Sequence, residues 1–284
     1  MQFSGNPRPP VFFQRGRDVV LPQLLLLKGG GSHADQPSCE QMARSSPLSP
    51  SFDRAALHAN RTTLLWFGGH EGHGDARTRL FRTHSGQRGF ELHNSLRSRL
   101  RRNAINMSLA SAFCWVPRGQ GQGDPTRHMV SLFHGCVPVF TLGVRKDDDA
   151  LPFDELLPWH RFSLRVPVDE LGSLPAVLEA AARDDATLRS MQSELGCVWR
   201  SLFWTSLQGS CFGETPRGDA FDALMAVLRL RLTRRGMPPM RSTCALTARP
   251  GAARNTLPPH LPRAAPGARL SGVLGQLHPS ASAA

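Results

Sequence analysis

The residues best suited to chemistry lie in a glycine-rich stretch between two apolar runs. The stretch 118–124 reads Arg-Gly-Gln-Gly-Gln-Gly-Asp and follows the apolar run 112–117. Glycines let the backbone approach a ligand closely, and a helix that follows offers unpaired N–H groups to an anion. The stretch therefore predicts a diphosphate site. A plain surface loop is the alternative, since the even glycine spacing matches neither GxGxxG nor a P-loop. The predicted contacts are Arg118, Gly119, Gly121, Gly123, Thr126 and Arg127.

Two other polar clusters resemble metal motifs but fit loops better. Asp147-Asp148-Asp149 follows an apolar run and predicts a solvated acidic turn instead of a metal-binding Asp-x-Asp pair. The stretch 70–75, His-Glu-Gly-His-Gly-Asp, lacks HExxH spacing and lies among glycines. We therefore interpret both clusters as loops. The large aromatic residues Trp159 and Phe162 are assigned to the core instead of a sugar platform.

The elements around the glycine-rich stretch predict a βαβ unit. The apolar runs 112–117 and 136–141 read as two strands. Between them, Asp124-Pro125-Thr126 predicts a helix start, because Asp or Thr can cap a helix and Pro fits its first turn. Gly135 is the usual type of residue just past a helix end. The two strands of such a unit are parallel, with a right-handed crossover.

Hydrophobic periodicity predicts the remaining elements. Leu92, Leu96 and Leu100 recur at four-residue spacing and predict a helix within the Arg-rich stretch 77–102. The Gly/Ser/Pro-rich stretch 29–50 predicts a linker or long loop. The other predicted elements are an extended segment at 16–22, strands at 62–67 and 162–166, and helices at 174–182, 185–202 and 221–232.

The charge distribution argues against a nucleic-acid partner. The 284 residues include 34 Lys+Arg against 22 Asp+Glu, a formal net charge of +12. Nine arginines and no acidic residue fall within 223–284, so nine of those twelve charges lie at one end of the chain. Beyond Arg235 no aromatic side chains are interleaved with the cations, as a nucleic-acid surface would favour. We interpret 236–284 as a disordered basic tail.

Cysteine usage and the amino-terminal residues leave the compartment open. None of the six cysteines forms a CxxC pair, and the apolar surroundings of Cys114 and Cys136 predict small buried side chains. The first residues lack a signal-peptide pattern, and the longest early apolar run is far shorter than a membrane span. We therefore expect no signal or anchor in this chain. Asn60-Arg-Thr62 and Asn106-Met-Ser108 are glycosylation sequons, which matter only in a lumenal protein.

A set of motifs, in order, resembles the exostosin family, which is glycosyltransferase family 47. The set is Phe113-Cys114, Pro117-Arg-Gly119, Arg127 eight residues before Gly135-Cys-Val-Pro-Val139, Leu151-Pro-Phe-Asp-Glu-Leu-Leu-Pro-Trp159, Arg161-Phe-Ser-Leu-Arg-Val-Pro167 and Met191-Gln192. Upstream, the segments 18–22 and 61–69 also resemble family segments.

This resemblance implies a GT-B glycosyltransferase, built from two Rossmann-like domains of which the C-terminal one holds the nucleotide-sugar. It implies inverting transfer to a glycan or glycoprotein acceptor, with no metal cofactor and with the leaving diphosphate stabilised by basic side chains and a helix dipole. The glycine-rich stretch falls where the donor site is expected. Its residues, together with Val130 and Gly135, are the predicted nucleotide-sugar contacts, and the catalytic residues are unknown.

Two departures from the family pattern define the alternative, a catalytically inactive exostosin-like fragment or binding module. Many family members have Glu where this chain has Val130, and a valine accepts no hydrogen bond from a sugar hydroxyl. The residues before Asn60 are also too few for a second Rossmann-like domain.

The expected fold is α/β, the Rossmann-like C-terminal half of a GT-B enzyme. We expect an irregular remnant of the N-terminal domain or a linker at 1–59, an exostosin-like domain at 60–235 and the tail at 236–284. The resemblance implies the Golgi membrane, with membrane association only if an anchor precedes this chain.

Overall fold

Five parallel strands form the sheet on which the described part of the chain is built. They are β1 Thr63–Gly69, β2 Phe90–Asn94, β3 Ser111–Val116, β4 Val137–Leu142 and β5 Leu164–Pro167. Their order in the sheet is β2-β1-β3-β4-β5, and all neighbours are parallel. The computed structural model describes residues 16–24, 39–49, 57, 61–72, 75–94, 104–117, 127–142 and 150–233.

Helices connect and cover these strands. They are α1 Cys39–Ser45, α2 Asp75–His84, α3 Ala104–Ala110, α4 Arg127–Phe133, α5 Leu174–Arg183, α6 Asp185–Leu202, α7 Thr205–Gln208 and α8 Ala220–Thr233, with 3-10 turns at Trp159–Arg161 and Val168–Ser173. Parallel strands joined through helices in this order make a doubly wound, Rossmann-like α/β domain. The predicted α/β class is therefore confirmed.

The central strands are mostly apolar, as expected for a parallel sheet whose faces are both covered by helices. All six residues of β3 are buried. On one side of the sheet the Phe67 and Trp115 rings pack edge to face at 4.9 Å. Trp159 and Phe162 are 2% and 0% exposed, which confirms the prediction that both belong to the core.

The later helices begin close to where the sequence predicts. The Asp184 carboxylate accepts a hydrogen bond from the Thr187 N–H at 3.2 Å and caps α6. Leu195, Val198 and Leu202 of α6 are completely buried, as its apolar periodicity requires. Ser173 precedes α5 as predicted, but its hydroxyl donates to the Glu170 carbonyl instead of capping the helix.

The helix predicted from Leu92, Leu96 and Leu100 is wrong at Leu92, whereas Leu96 and Leu100 lie outside the described residues. Helix α2 ends at His84, and Gly86 and Gly89 have positive φ values of 85° and 83°, which an L residue adopts only at a cost. Leu92 lies in β2, where it pairs with Phe67 of β1. The four-residue leucine spacing is therefore coincidental at Leu92, and pairing with β1 decides the local structure.

The linker predicted at 29–50 is wrong for its second half. Residues 39–45 form α1, and Met42 is completely buried in the main core. The Ser46 hydroxyl donates to the Phe133 carbonyl at the end of α4. This segment is therefore part of the folded domain, although it lies before the boundary predicted at residue 60.

The segment 16–24 is extended, as predicted, and also lies on the domain. Phe153 N–H donates to the Val20 carbonyl at 3.0 Å, and Trp204 Nε1 donates to the Pro22 carbonyl at 3.0 Å. The Arg231 guanidinium of α8 donates to the carbonyls of Arg17 at 2.9 Å and Asp18 at 2.8 Å. Both ends of the described chain therefore meet at one place.

Disulfides hold the described elements together. Cys114 of β3 bonds to Cys136, directly before β4, and Cys39 of α1 bonds to Cys211 after α7. Cys197 is disulfide-bonded as well. The prediction that Cys114 and Cys136 are buried is confirmed, but their interpretation as simple apolar side chains is wrong, because neighbouring strands bring the two sulfurs together. In the described ranges, no helix is both long and apolar enough to cross a membrane.

Candidate functional site

The order of the strands places one crevice at the carboxyl edge of the sheet. From β1 the chain crosses to β2 on one side, and the strands β3, β4 and β5 follow on the other side. In open α/β sheets of this kind, ligands bind outside the carboxyl ends of the strands where the direction reverses. That point lies between the end of β1 at Gly69 and the end of β3 at Val116.

The turn after β1 lies at this carboxyl edge, on the β1 side of the expected crevice, and is held by hydrogen bonds. Gly72 N–H donates to the His70 ring Nδ1 at 2.9 Å, which closes the turn. Asn94 Nδ2, at the end of β2, donates to Glu71 Oε2 at 3.0 Å. Thr78 Oγ1 of α2 donates to the Glu71 carbonyl at 3.4 Å. The ends of β1 and β2 and the start of α2 are thus joined around Glu71.

Arg77 places a buried cation behind this turn. Its side chain is only 2% exposed, and its guanidinium carbon lies 5.6 Å from the centre of the Phe67 ring. Nη1 donates to the His70 carbonyl at 3.3 Å. Arg77 and Asn94 were not predicted from the sequence as residues of this edge, and Glu71 was assigned only to a loop. The only signal for them is that each lies at or shortly after the carboxyl end of β1 or β2.

The predicted diphosphate contacts belong to the connection that leaves β3 at the same edge. Arg118, Gly119, Gly121, Gly123 and Thr126 lie outside the described residues. Arg127 is the first residue of α4, with its side chain outside the description. Strand β3 ends at the carboxyl edge, and α4 leads from that side back to the start of β4. The assignment of the connection 118–126 as a donor site stays a prediction.

Val130 and Gly135 lie further along the same βαβ unit. Val130 is half-buried within α4, and its carbonyl accepts a hydrogen bond from the His134 ring at 2.7 Å. Gly135 lies between α4 and β4, at the amino edge of the sheet. It has a φ of +67°, which confirms its role in ending the helix. At that position it lies at the opposite edge from the crevice, where its carbonyl accepts from Gln192 Nε2 at 3.4 Å.

Arg61 organises the amino edge around Gly135. Its Nη1 donates to three carbonyls, those of Ser108 at 2.8 Å, Leu109 at 3.0 Å and Ser111 at 2.9 Å. Nη2 donates to the His134 carbonyl at 3.0 Å. Burial lowers the pKa of Arg61 to about 10, so the group stays charged at neutral pH. The end of α3 and the turn between α4 and β4 are therefore fixed to the start of β1.

His134 is a buried neutral group in the same region. Burial is the main reason that its pKa falls to about 4; the Val130 hydrogen bond opposes this shift and the Arg61 charge adds to it. Its Nε2 lies 3.1 Å from the Ser45 hydroxyl of α1. The ring therefore joins α1 to α4 and does not face the crevice.

The Cys114–Cys136 disulfide closes the base of the unit that contains the predicted site. The two residues are 22 positions apart, and the closed loop contains the connection 118–126 and all of α4. Both sulfurs are buried with Trp66, and Met107 of α3 packs against them.

The two polar clusters that resemble metal motifs are described only in part. Residues 70–72 form a turn, as predicted, whereas His73 and the acidic stretch 147–149 lie outside the described residues. Among the residues that the structure describes, no group of three or more His, Cys, Asp and Glu side chains is arranged to hold a metal ion.

Comparison with known proteins gives the class of this domain. The Exostosin GT47 domain profile matches residues 6–181, which include all five strands. The chain therefore belongs to the exostosin GT47 family, and the resemblance found in the motifs is confirmed.

The individual relatives agree with the family. Exostosin-2 of Bos taurus is 32% identical over 93 residues, which cover 33% of this chain and 12% of that protein. Two Arabidopsis thaliana proteins named "probable glycosyltransferase" are 31% identical over 121 residues and 28% identical over 174 residues. These two matches cover 42% and 61% of this chain, and 24% and 31% of the plant proteins. The matches thus span less than a third of each relative.

Proposed function

We propose that this chain is a glycosyltransferase domain, which transfers a sugar from a nucleoside diphosphate sugar to a glycan or glycoprotein acceptor. The observation that supports this most is the exostosin match over 6–181, which contains the whole parallel sheet and the crevice at its carboxyl edge. In the proposed GT-B arrangement this domain is the donor-binding half.

The proposed donor site lies between the connection 118–126 and the turn after β1. The glycines of the connection allow the diphosphate close to the backbone, and Arg118 and Arg127 neutralise it through charge-assisted hydrogen bonds. Thr126 adds a hydroxyl group, and Arg77 adds a buried positive charge behind the turn after β1. As the glycosidic bond to the diphosphate breaks, this positive potential stabilises the leaving group without a metal ion. Gly135 does not contact the donor in this proposal, but it ends α4 at the amino edge of the sheet and so positions the βαβ unit.

The disulfides support a lumenal location for this activity. Disulfide bonds persist in oxidising compartments and are rare in the cytosol. The Cys39–Cys211 and Cys114–Cys136 bonds therefore favour folding in the secretory pathway, in line with the Golgi location proposed from the family.

Calorimetric titration of the folded protein with a panel of uridine and guanosine diphosphate sugars tests donor binding. We expect at least one donor to bind, and Arg118→Ala to weaken it about 10- to 100-fold, the effect of losing a charge-assisted hydrogen bond. Arg88→Ala is the matched control, because Arg88 is an exposed arginine before β2 at the amino edge. Absence of heat with every donor would overturn the proposal.

A binding module without turnover is the second candidate, and Val130 favours it. This apolar residue occupies the position at which many family members have Glu, one turn into α4. If the chain is only a binding module, Val130→Glu binds a donor but transfers no sugar. If the site is complete except for this residue, Val130→Glu gains transfer activity and the neutral control Val130→Gln does not. Release of nucleoside diphosphate in the presence of a glycan acceptor measures the difference.

A further inference from the structure

We infer that Asn106 is a site of N-linked glycosylation. The tripeptide Asn106-Met107-Ser108 is an acceptor sequon, and it lies within α3. Asn106 is exposed in the folded domain, so its side-chain amide has room for a large polar substituent. The inference rests on the lumenal location in the proposed function but is independent of donor binding and transfer.

Asn106 is the exposed residue of α3, whereas the other residues of the helix are buried or half-buried. Met107 packs against the cluster of Trp66, Cys114 and Cys136, and Ser108 is only 2% exposed. The Arg61 guanidinium holds the carbonyls of Ser108 and Leu109. A glycan on Asn106 therefore requires no rearrangement of buried groups.

The position of α3 also separates this glycan from the proposed donor site. Helix α3 leads directly into the amino end of β3, and Asn106 lies about one helical turn before that end. The crevice is at the opposite, carboxyl edge of the same strand. A glycan at Asn106 therefore leaves the crevice open for donor and acceptor.

The reaction transfers an oligosaccharide from its lipid diphosphate carrier to the Asn106 side chain. A bond forms between Asn106 Nδ2 and the first carbon of the oligosaccharide, while the bond from that carbon to the lipid diphosphate oxygen breaks. The amide nitrogen loses one proton, and the lipid diphosphate leaves with the bonding electron pair. No oxidant or reductant takes part.

The burial of Ser108 fixes the order of modification and folding. The hydroxyl residue is part of the recognised sequon, yet in the folded domain it is 2% exposed and held within α3. A transferase that reads the sequon needs both Asn106 and Ser108 accessible. Glycosylation at Asn106 therefore precedes the docking of α3, while the chain is still entering the lumen.

Secretion of the full chain from a eukaryotic cell, behind a cleavable signal peptide, tests the site directly. The purified protein is deglycosylated enzymatically in heavy-oxygen water, which converts each formerly glycosylated asparagine into labelled aspartate, and its peptides are analysed by mass spectrometry. We expect the label at Asn106. Secreted chain with oxidised cysteines and unlabelled Asn106 would overturn the inference.

Variants provide a second readout on gel mobility. Asn106→Gln and Ser108→Ala each lose one glycan, whereas Ser108→Thr retains it because threonine also completes the sequon. Asn60→Gln, in the other sequon, is the matched control and leaves the Asn106 glycan in place. An unchanged glycan number in both Asn106→Gln and Ser108→Ala would contradict the site.

Two further measurements separate this inference from the proposed function. Free thiols at Cys114 and Cys136 in the protein isolated from its native cell would show that the chain does not fold in the lumen. That result would overturn the inference. If Asn106 is labelled but no donor binds, only the proposed glycosyltransferase function is overturned.

The predicted order, in which glycosylation precedes the folding of α3, has its own test. Unglycosylated chain that has folded with its disulfides formed is incubated with an oligosaccharyltransferase and a lipid-linked oligosaccharide, in parallel with a peptide of residues 102–112. We expect the peptide to be modified and the folded chain to remain unmodified at Asn106. Equal modification of both would show that folding does not hide the sequon.

Discussion

At Gly135, backbone conformation and packing both exclude a larger residue. Its φ is +67°, and a Cβ atom built there would lie 2.8 Å from Arg61 Nη2 and 3.0 Å from Leu57 Cδ2. We expect Gly135→Ala to lower the free energy of unfolding by at least about 1–2 kcal/mol, the usual cost of the left-handed conformation for an L residue. Urea denaturation followed by circular dichroism measures the change.

Gly172→Ala is the control for this substitution. Gly172 lies in the 3-10 turn before α5, has no positive φ and has no neighbouring atom within 4 Å of an added Cβ. We expect a change within about 0.5 kcal/mol. If both variants lost the same free energy of unfolding, the positive φ and close packing at Gly135 would not explain the effect of its substitution.

Because His134 is buried in its neutral form, we expect the domain to lose stability in acid. Its folded pKa of about 4 lies below the ordinary value of 6.5, because burial disfavours the charged ring. The stabilisation from keeping this ring neutral is complete above pH 6.5 and is lost as the pH falls toward 4. The loss is on the order of 3 kcal/mol, since one pKa unit corresponds to about 1.4 kcal/mol.

Urea unfolding at several pH values checks this prediction in the wild type and in His134→Asn. The variant is less stable at neutral pH, because it loses ring contacts, but its stability falls less steeply between pH 6.5 and 4. His160→Asn, which removes an exposed imidazole, retains the wild-type slope. Identical slopes in all three proteins would exclude His134 as the cause.

Among the elements, the βαβ unit from β3 to β4 depends on its disulfide. The Cys114–Cys136 bond closes a loop with a sequence separation of 22 residues, and chain-entropy estimates give about 3 kcal/mol for a loop of this length. We expect the double variant Cys114→Ala/Cys136→Ala to lose roughly that free energy of unfolding. Thermal denaturation under non-reducing conditions measures it.

A reducing agent supplies the control for the disulfide prediction. The remaining disulfides make the double variant sensitive to reduction, but its further loss is smaller than that of the wild type. An equal stability of variant and wild type before reduction would show that this bond does not support the unit.

The elements also show which parts of the fold can be predicted from sequence. Strands β3 and β4 are buried on both faces, so each is a continuous apolar run that is recognised without structural knowledge. Helix α6 has a clear cap at Asp184 and a wide apolar face. In contrast, the leucine spacing from Leu92 suggested a helix because local periodicity contains no information about pairing with β1.

The features that could not be predicted from the sequence depend on contacts between residues far apart in the chain. Cys114 and Cys136 become neighbours only because β3 and β4 are adjacent, with Cys114 opposite Pro138. Arg61 meets its carbonyl partners 47 to 73 residues further along the chain. At the candidate site, the glycine-rich connection was found from its composition and its family pattern. Arg77 and Glu71 were not assigned to this edge because their role follows from the sheet order.

For the whole molecule, the residues before β1 are part of the stable unit. Met42 and Ser46 are completely buried, and Leu57 is 3% exposed. A chain that begins at Asn60 loses these contacts and the Cys39–Cys211 bond. We expect it to be insoluble or to unfold without a cooperative transition, which thermal denaturation followed by circular dichroism will show.

A chain that begins at residue 16 is the control for this truncation. It retains each of the amino-terminal contacts described above, so we expect a cooperative transition close to that of the full chain. Cooperative unfolding of the Asn60 chain at an unchanged temperature would instead support the domain boundary predicted from the sequence.

The contact of Arg231 with the carbonyls of Arg17 and Asp18 joins positions more than 200 residues apart in sequence. Because the two ends of the described chain lie together, the same fold can be formed by a chain whose elements follow one another in a circularly permuted order. A short linker from Thr233 to Gly16 would make the backbone effectively circular, and new ends could be opened at an exposed turn such as 85–89. Such a permuted domain could be inserted into a surface loop of a host protein as a single module, with entry and exit side by side.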